Sequence, residues 1–402
     1  MTYQIIQGEL PGALSQAQGL YHAMVSDPPY ELGFMNRSWD RSGVSFRAET
    51  WSACLEKLYP GAFGLVFGGS RTYHRIAVAL EDAGALIHPS IFGWFYASGF
   101  PKATRVIVPE AERWEGHRYG LQAMRPAVEP IILFQKPYKG RPRDSMAETG
   151  AGALNISGAA HQRESRYVPG MGHFDRAYGR NTPEQAALRE GKVSDTSWPA
   201  NGVVLHRPEC AESCSPDCAV LALRASGAPM ESFLALGWEL ETQERLGRAD
   251  VGVYCPKPQS EEKDAGIDAP LVTVDDGRQK PIDNPYLRGE TERRNTHPTV
   301  KPLALAQWLT TLLLPPAGYQ RRLLVPFSGS GSEMIGGLLS GWDEVVGIEL
   351  REQAVKESRE RLEWWISRKR ETLAQKPKEI LKSKAQKGLT LLDLLDNNKS
   401  GG

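Results

Sequence analysis

Two stretches of the chain carry residue types whose spacing can do chemistry. Asp27-Pro28-Pro29-Tyr30 closes the apolar run 21–25. Consecutive prolines cannot continue a central strand, so the tetrapeptide must open a loop at a strand end. An aromatic amine such as that of adenine is a weak nucleophile, because its lone pair is delocalised into the ring. The Asp27 carboxylate and the Pro28 carbonyl, splayed by the rigid prolines, can accept its two N–H groups, hold it closer to tetrahedral and aim the lone pair at an electrophile. The Tyr30 ring offers a stacking face to an extruded base. The second stretch, Phe327-Ser328-Gly329-Ser330-Gly331-Ser332, follows a strand-like run and opens a helix, and eighteen residues after Gly331 the next strand ends at Glu349. Glycines let a backbone approach a ligand, a helix N-terminus presents unpaired N–H groups, and an acid at the next strand end can accept from two ribose hydroxyls. That arrangement suits an adenosine-type cofactor. Met334 stands where a dinucleotide fingerprint has its third glycine, which counts against a nicotinamide cofactor.

The elements that must position these motifs are legible as periodicity. Residues 49–59 and 71–82 read as helices, and 21–25, 63–67, 85–95 and 128–134 as strands. A second block follows, with a helix carrying Leu305, Trp308, Leu309 and Leu312, a strand over 321–325, a helix over 333–340, a strand over 344–349 and a helix over 351–370. Strands separated by helices predict an α/β fold with a mostly parallel sheet, whose ligands bind outside the carboxyl ends of the strands. Four regions are expected: 1–137 with the Asp-Pro-Pro-Tyr motif, a loop-rich insertion over 138–291, 292–370 with the glycine turn, and a basic, flexible tail over 371–402. Asn284-Pro285-Tyr286 lacks a second proline and a preceding strand, and reads as a turn.

Composition sets the outer limits. The chain has 402 residues, 48 Lys+Arg against 48 Asp+Glu and 41% hydrophobic residues, which excludes both a disordered chain and one coated in basic surface. The first residues carry no basic segment followed by an apolar run, and no stretch has the roughly 18 apolar residues of a membrane span, so a cytoplasmic protein is expected.

With Asp27-Pro28-Pro29-Tyr30 first, a long insertion next, then His297-Pro298-Thr299-Val300-Lys301-Pro302 and finally the glycine turn, the sequence resembles the amino-directed DNA methyltransferases of the β arrangement that use S-adenosylmethionine. The resemblance covers roughly residues 3–365. Stretches such as Phe67-Gly68-Gly69-Ser70-Arg71-Thr72-Tyr73-His74-Arg75 and Ser98-Gly99-Phe100-Pro101-Lys102 are similar to the phage and prophage branch. The resemblance implies a Rossmann-like sheet in circularly permuted order, and methyl transfer to the N6 amine of a flipped adenine in double-stranded DNA. Asp rather than Ser before Pro-Pro-Tyr favours adenine; the alternatives are the N4 amine of cytosine, or a catalytically impaired DNA-binding relative. The last is encouraged by Val325, which replaces the Asp that the family carries before Pro-Phe. It further implies that Thr299 and Lys301 reach the cofactor's carboxylate and that the insertion reads DNA through Arg141, Arg143, Arg163, Arg166, Arg176 and Arg180; Trp39 and Asp40, which follow the catalytic loop, either line the same pocket or are a packing tryptophan beside a solvated acid. Relatives of this arrangement are often homodimers.

The cysteines suggest a further site. Cys210, Cys214 and Cys218 recur every four residues, with His206 one step earlier and Cys255 further on. Pro216 breaks any continuous helix here, so the thiols belong to a turn that can fold around a structural zinc, with Cys255 or His206 as the fourth ligand. The alternative is three reduced thiols in a loop. Cys54, in the first helix, is expected to be buried and uninvolved.

Overall fold

The computed structural model describes residues 1–33, 38–95, 102–106, 108, 111–124, 128–168, 192–197, 200, 202–205, 210, 214, 218, 221, 233–236, 260–274, 291–297 and 299–386. Among them nine strands form one central sheet: β1 (Thr2–Gln7), β2 (Tyr21–Ser26), β3 (Leu58–Phe67), β4 (Leu86–Phe95), β5 (Val128–Gln135), β6 (Gly202–Leu205), β7 (Phe233–Leu236), β8 (Arg322–Pro326) and β9 (Glu344–Glu349). Their order is β1-β9-β8-β2-β3-β5-β4-β6-β7, and every pairing is parallel except those of β5 with β3 and β4. The helices are α1 (Ala48–Glu56), α2 (Tyr73–Asp82), α3 (Pro142–Thr149), α4 (Ile156–Ala159), α5 (Ser260–Asp264), α6 (Leu303–Leu312), α7 (Ser332–Ser340) and α8 (Glu352–Gln386). The architecture is the expected α/β, Rossmann-like one.

The strands read as unbroken apolar runs because both faces of the sheet are covered. Val25, Leu65, Phe67, Leu133, Leu323, Val325 and Val345 point into a core shared with α6, α7 and α8. Their neighbours Met24, Val66, Ile132, Phe134, Leu324 and Val346 point the other way, into a core with α1 and α2. The helices of the two sequence blocks therefore lie on opposite faces of one sheet.

Several boundaries differ from the sequence expectation. β1 was not foreseen: it is a short, half-exposed edge strand that runs parallel to β9 from Thr2 against Glu344 to Gln7 against Glu349. Its mixed Thr-Tyr-Gln-Ile-Ile-Gln sequence carries a weak apolar signal. α1 ends at Glu56 and β3 begins at Leu58, so Tyr59 and Pro60 belong to the strand, where an irregularity opposite Tyr21 and Ala23 accommodates the proline. α8 runs on to Gln386 instead of stopping at residue 370. Parts of the insertion join the body of the protein: β6 extends the sheet beyond β4 with Gly202 against Gly93, and the buried Trp308 ring N–H donates to Ala159 O at 3.0 Å. No helix among the described residues is long and apolar enough to cross a membrane.

Two close approaches set the packing of α7. Gly347 in β9 leaves room for Met334, and Gly336 lies against the backbone of α6, where an added Cβ would stand 2.6 Å from Ala306 C and 2.7 Å from Gln307 N. In an open helix Gly→Ala stabilises by about 0.5–1 kcal/mol. Here backbone stands in the way, so Gly336→Ala should instead cost about 1–3 kcal/mol, measured as a lower denaturation midpoint in urea.

Candidate active site

The two sequence motifs meet because their strands are neighbours. β2 and β8 pair in parallel with Ala23 opposite Leu323 and Met24 opposite Leu324, so Asp27 and Phe327 leave adjacent strands at the same end of the sheet. Ser26 Oγ donates to Pro326 O at 3.0 Å and ties the two strand ends together.

The loop after Asp27 is held from behind. Asp40 is buried and its two carboxylate oxygens accept the backbone N–H groups of Glu31 (2.9 Å) and Leu32 (3.2 Å). Glu31, at φ +55°, is in the left-handed region and in turn accepts the N–H of Gly43 at 2.8 Å. Thr72 Oγ1 donates to Tyr30 O at 2.8 Å. Asp40, expected either to line the pocket or to be solvated, therefore acts on the loop backbone; the Trp39 side chain lies outside the described residues.

At the centre stands Lys301. Its ammonium donates to Asp27 Oδ2 at 2.7 Å and to the Tyr30 hydroxyl at 3.2 Å, and lies 3.8 Å from Glu129 Oε2. Tyr30 OH donates to that same Glu129 oxygen at 2.9 Å. The rings of Phe67, Tyr30 and Trp94 surround the ammonium at 4.9, 5.3 and 5.7 Å from their centroids. Lys301 was expected to hold a cofactor carboxylate, but here its donors are directed to the Asp27 side of the site. Thr299 is exposed and its N–H donates to His297 Nδ1 at 3.3 Å.

The electrostatics follow from burial. Burial opposes the charge on Lys301, but Asp27 and Glu129 outweigh it and raise its pKa above the ordinary lysine value. Burial pushes Asp27 above the ordinary carboxylate value, while the Lys301 ammonium pulls it down. Burial, together with the charges of Asp27 and Glu129, holds Tyr30 well above the usual phenol range, so it remains a donor. Glu333, at the start of α7, is pushed up to about 7 by burial and by the Asp27 charge. Asp27 Oδ1 is buried and has no hydrogen-bond partner among the described residues.

The glycine turn is equally constrained. Phe327 (φ +57°), Gly329 (φ +51°) and Gly331 (φ +82°) all sit in the left-handed region. A Cβ on Gly329 would stand 2.9 Å from His297 Nε2, and one on Gly331 would strike Ser358 Oγ. The buried Arg361 donates to Ser330 O (2.6 Å), Ser330 Oγ (3.1 Å) and Ser332 Oγ (3.3 Å), while Ser328 N donates to Ile348 O at 2.9 Å. Burial lowers the pKa of Arg361 to about 10. Glu349 is buried, and each of its oxygens accepts one backbone N–H, Oε2 from Gly329 and Oε1 from Arg351, both at 3.0 Å. Oε1 also faces Arg351 Nε at 3.4 Å, whereas Oε2, with two lone pairs and one bond, keeps a position for a further donor. A cradle that a Cβ would fill, closed by a buried carboxylate with an acceptor position at Oε2, fits an adenosine ribose. Val325 is fully buried in the core, so its position presents no polar group to the site.

Residues 21–360 match the DNA methylase family of N6/N4 methyltransferases. The chain belongs to this family. A curated relative, the Type II methyltransferase M.HindIII of Haemophilus influenzae, is 29% identical over 124 residues, which are 28% of this chain and 39% of that protein. The aligned part thus spans well under two thirds of that relative's length. Among solved structures, the M1.HpyAVI–SAM complex has a TM-score of 0.40 at 14% identity, covering 90% of this chain and 99% of that one. The cytosine-N4-specific PvuII DNA methyltransferase has a TM-score of 0.41 at 12% identity, covering 90% and 86%.

In this family member the residues expected to meet DNA are dispersed. Arg141 and Arg143 are exposed at α3 and both face Asp144, at 2.8 and 3.4 Å. Arg163 and Arg166 lie on a strand, His161–Val168, paired with Lys192–Ser197. Arg176 and Arg180 lie outside the described residues, as do 284–286. The structure adds a groove beside the Asp27 loop, lined by Arg41, Arg71, His74 and Arg75 and by one carboxylate, Glu31. Arg71, His74 and Arg75 belong to the 67–75 stretch similar to the phage and prophage branch; Arg41 carries no sequence signal. Glu129 and Glu333 carry no site signal because each is an isolated charge in an otherwise apolar stretch, and Arg361 because it is one of many charges along α8.

Lys301 opposes the upward push of burial on Asp27, and the ionised carboxylate is both the stronger acceptor and the form that can take the amine's proton. Lys301→Met should therefore move the acid limb of the kcat/KM pH profile upward by about one pH unit or more. An unchanged limb would show that Asp27 does not depend on this ammonium.

Proposed function

We propose that the protein transfers a methyl group from S-adenosylmethionine to the exocyclic N6 amine of an adenine flipped out of double-stranded DNA. The observation that carries this reading is the state of Asp27: Oδ2 is held by Lys301, and Oδ1 is a buried acceptor without a partner among the described residues, one strand away from the glycine turn. A buried, unsatisfied acceptor is costly in a folded protein and is best explained by a ligand that satisfies it.

The cofactor would be held by the 327–332 turn and Glu349, and when bound it supplies an electrophilic methyl group. The chain's own residues then act on the amine. Asp27 Oδ1 and the Pro28 carbonyl accept its two N–H groups, which weakens delocalisation of the nitrogen lone pair into the ring. The ammonium of Lys301 fixes the carboxylate so that Oδ1 is the oxygen offered. Tyr30 gives the base a stacking face, and its hydroxyl is anchored on Glu129. Asp27 Oδ1 is the atom placed to take the proton that the amine sheds; Lys301, as an ammonium, has no lone pair to compete for it. The groove of Arg41, Arg71, His74 and Arg75 beside the loop suits a DNA backbone, whose phosphates would be paired there. Asp at position 27, in place of Ser, supports adenine as the target.

Nucleoside mass spectrometry of DNA treated with the full chain tests the reading. N6-methyladenine is expected; N4-methylcytosine would move the target to cytosine, and no methylated base would favour an impaired DNA-binding relative. Asp27→Ala should lower turnover at saturating cofactor at least about tenfold while the cofactor Kd stays within a few-fold, since an interaction made mainly in the transition state is lost. Glu349→Ala should do the reverse. Loss of charge-assisted hydrogen bonds worth about 1.5–3 kcal/mol predicts a cofactor Kd raised about tenfold to a hundredfold, read by calorimetry.

A further inference from the structure

We infer that Cys210, Cys214 and Cys218 form a thiolate site for a zinc ion in the 138–291 insertion. Their three Sγ atoms all lie within 4.8 Å of one another, with Cys210 and Cys218 buried and Cys214 half-buried. Tetrahedral zinc with Zn–S bonds of about 2.3 Å sets the sulfur atoms about 3.8 Å apart, so the triad needs adjustments of no more than about 1 Å to share one ion.

The spacing makes this convergence informative. On a continuous helix, residues eight positions apart are separated by about 12 Å along the axis, so Cys210 and Cys218 could not meet. Cys210, Cys214 and Cys218 each stand outside any helix, as Pro216 in the sequence between them requires. The cluster is also separate from the two cores of the central sheet: among the described residues it consists of the three cysteines alone. Cys54 shows the contrast. It is enclosed by the apolar core of α1, which pushes its thiol up to about 12, and it has the character of a small hydrophobe.

A disulfide among three thiols would use two and leave the third. A metal ion uses all three. Thiolate donors select soft or borderline cations, and a closed site of this kind suits zinc in a structural role. Binding converts the thiols to thiolates with release of their protons, and the ion then crosslinks a loop-rich segment that has little apolar periodicity of its own. The fourth ligand comes from outside the triad; Cys255 and His206, the two residues expected from sequence, lie outside the described residues.

Elemental analysis of the full chain, purified without chelators, tests the site. About one zinc per chain, released by a thiol-modifying mercurial, is expected; less than about 0.2 per chain would overturn the site. Chain grown with cobalt should show a thiolate-to-cobalt charge-transfer band, and bound metal without that band would also overturn it. Cys214→Ser should lose at least about five-fold of the metal content. Should that variant not fold, the wild-type stoichiometry and the cobalt band still decide. A disulfide within the triad of the freshly purified, metal-free chain would contradict the inference.

Discussion

The ion pair between Lys301 and Asp27 is the contact that the rest of the site is arranged around. The two residues lie 274 positions apart and belong to different sequence blocks, yet their charged atoms are 2.7 Å apart and both side chains are almost fully buried. Burying two charges costs several kcal/mol each, and the attraction offsets this only where geometry and neighbouring groups are favourable. Here the neighbours are suited to it: Glu129 and Tyr30 share the ammonium's remaining donors, and three aromatic faces replace part of its hydration. The pair leaves one carboxylate oxygen without a partner among the described residues, at the place where a target amine would need an acceptor.

Sheet topology makes this contact possible. A parallel sheet brings carboxyl ends of adjacent strands together, so β2 delivers Asp27 and β8 delivers the glycine turn to the same edge. Helices of the two blocks cover opposite faces, which leaves that edge open between them. Lys301 reaches across it from the segment before α6, while Arg361 of α8 and Asp40 behind the Asp27 loop hold the two turns in place. The left-handed residues of the glycine turn and the close approach of Gly336 to α6 are local consequences of fitting those pieces around one site.

Much of this was legible in the sequence. Both cores come from strands whose apolar residues alternate between two covered faces, so the runs at 63–67, 128–134 and 344–349 stood out. The two motifs were found because prolines and glycines constrain a backbone independently of context. What was not legible depends on tertiary contact. Thr2–Gln7 has too mixed a pattern to mark an edge strand, and it is a strand because β9 offers it a parallel partner. The direction in which Lys301 reaches, the service of Asp40 to its own loop, and the part played by Glu129, Glu333 and Arg361 are decided by which charged groups the fold buries together. A linear sequence shows that such a residue is charged, but not which partner it meets.

The central claim is that the Lys301–Asp27 pair couples the two blocks of the chain, and a double-mutant cycle on folding stability tests it most directly. Lys301→Met leaves Asp27 buried without its counter-charge and should destabilise by about 3–5 kcal/mol, while Asp27→Asn leaves Lys301 with Glu129 alone and should cost less. The double variant should then be more stable than the sum of the two losses implies, by more than about 1 kcal/mol. Strict additivity of the two losses would contradict the account.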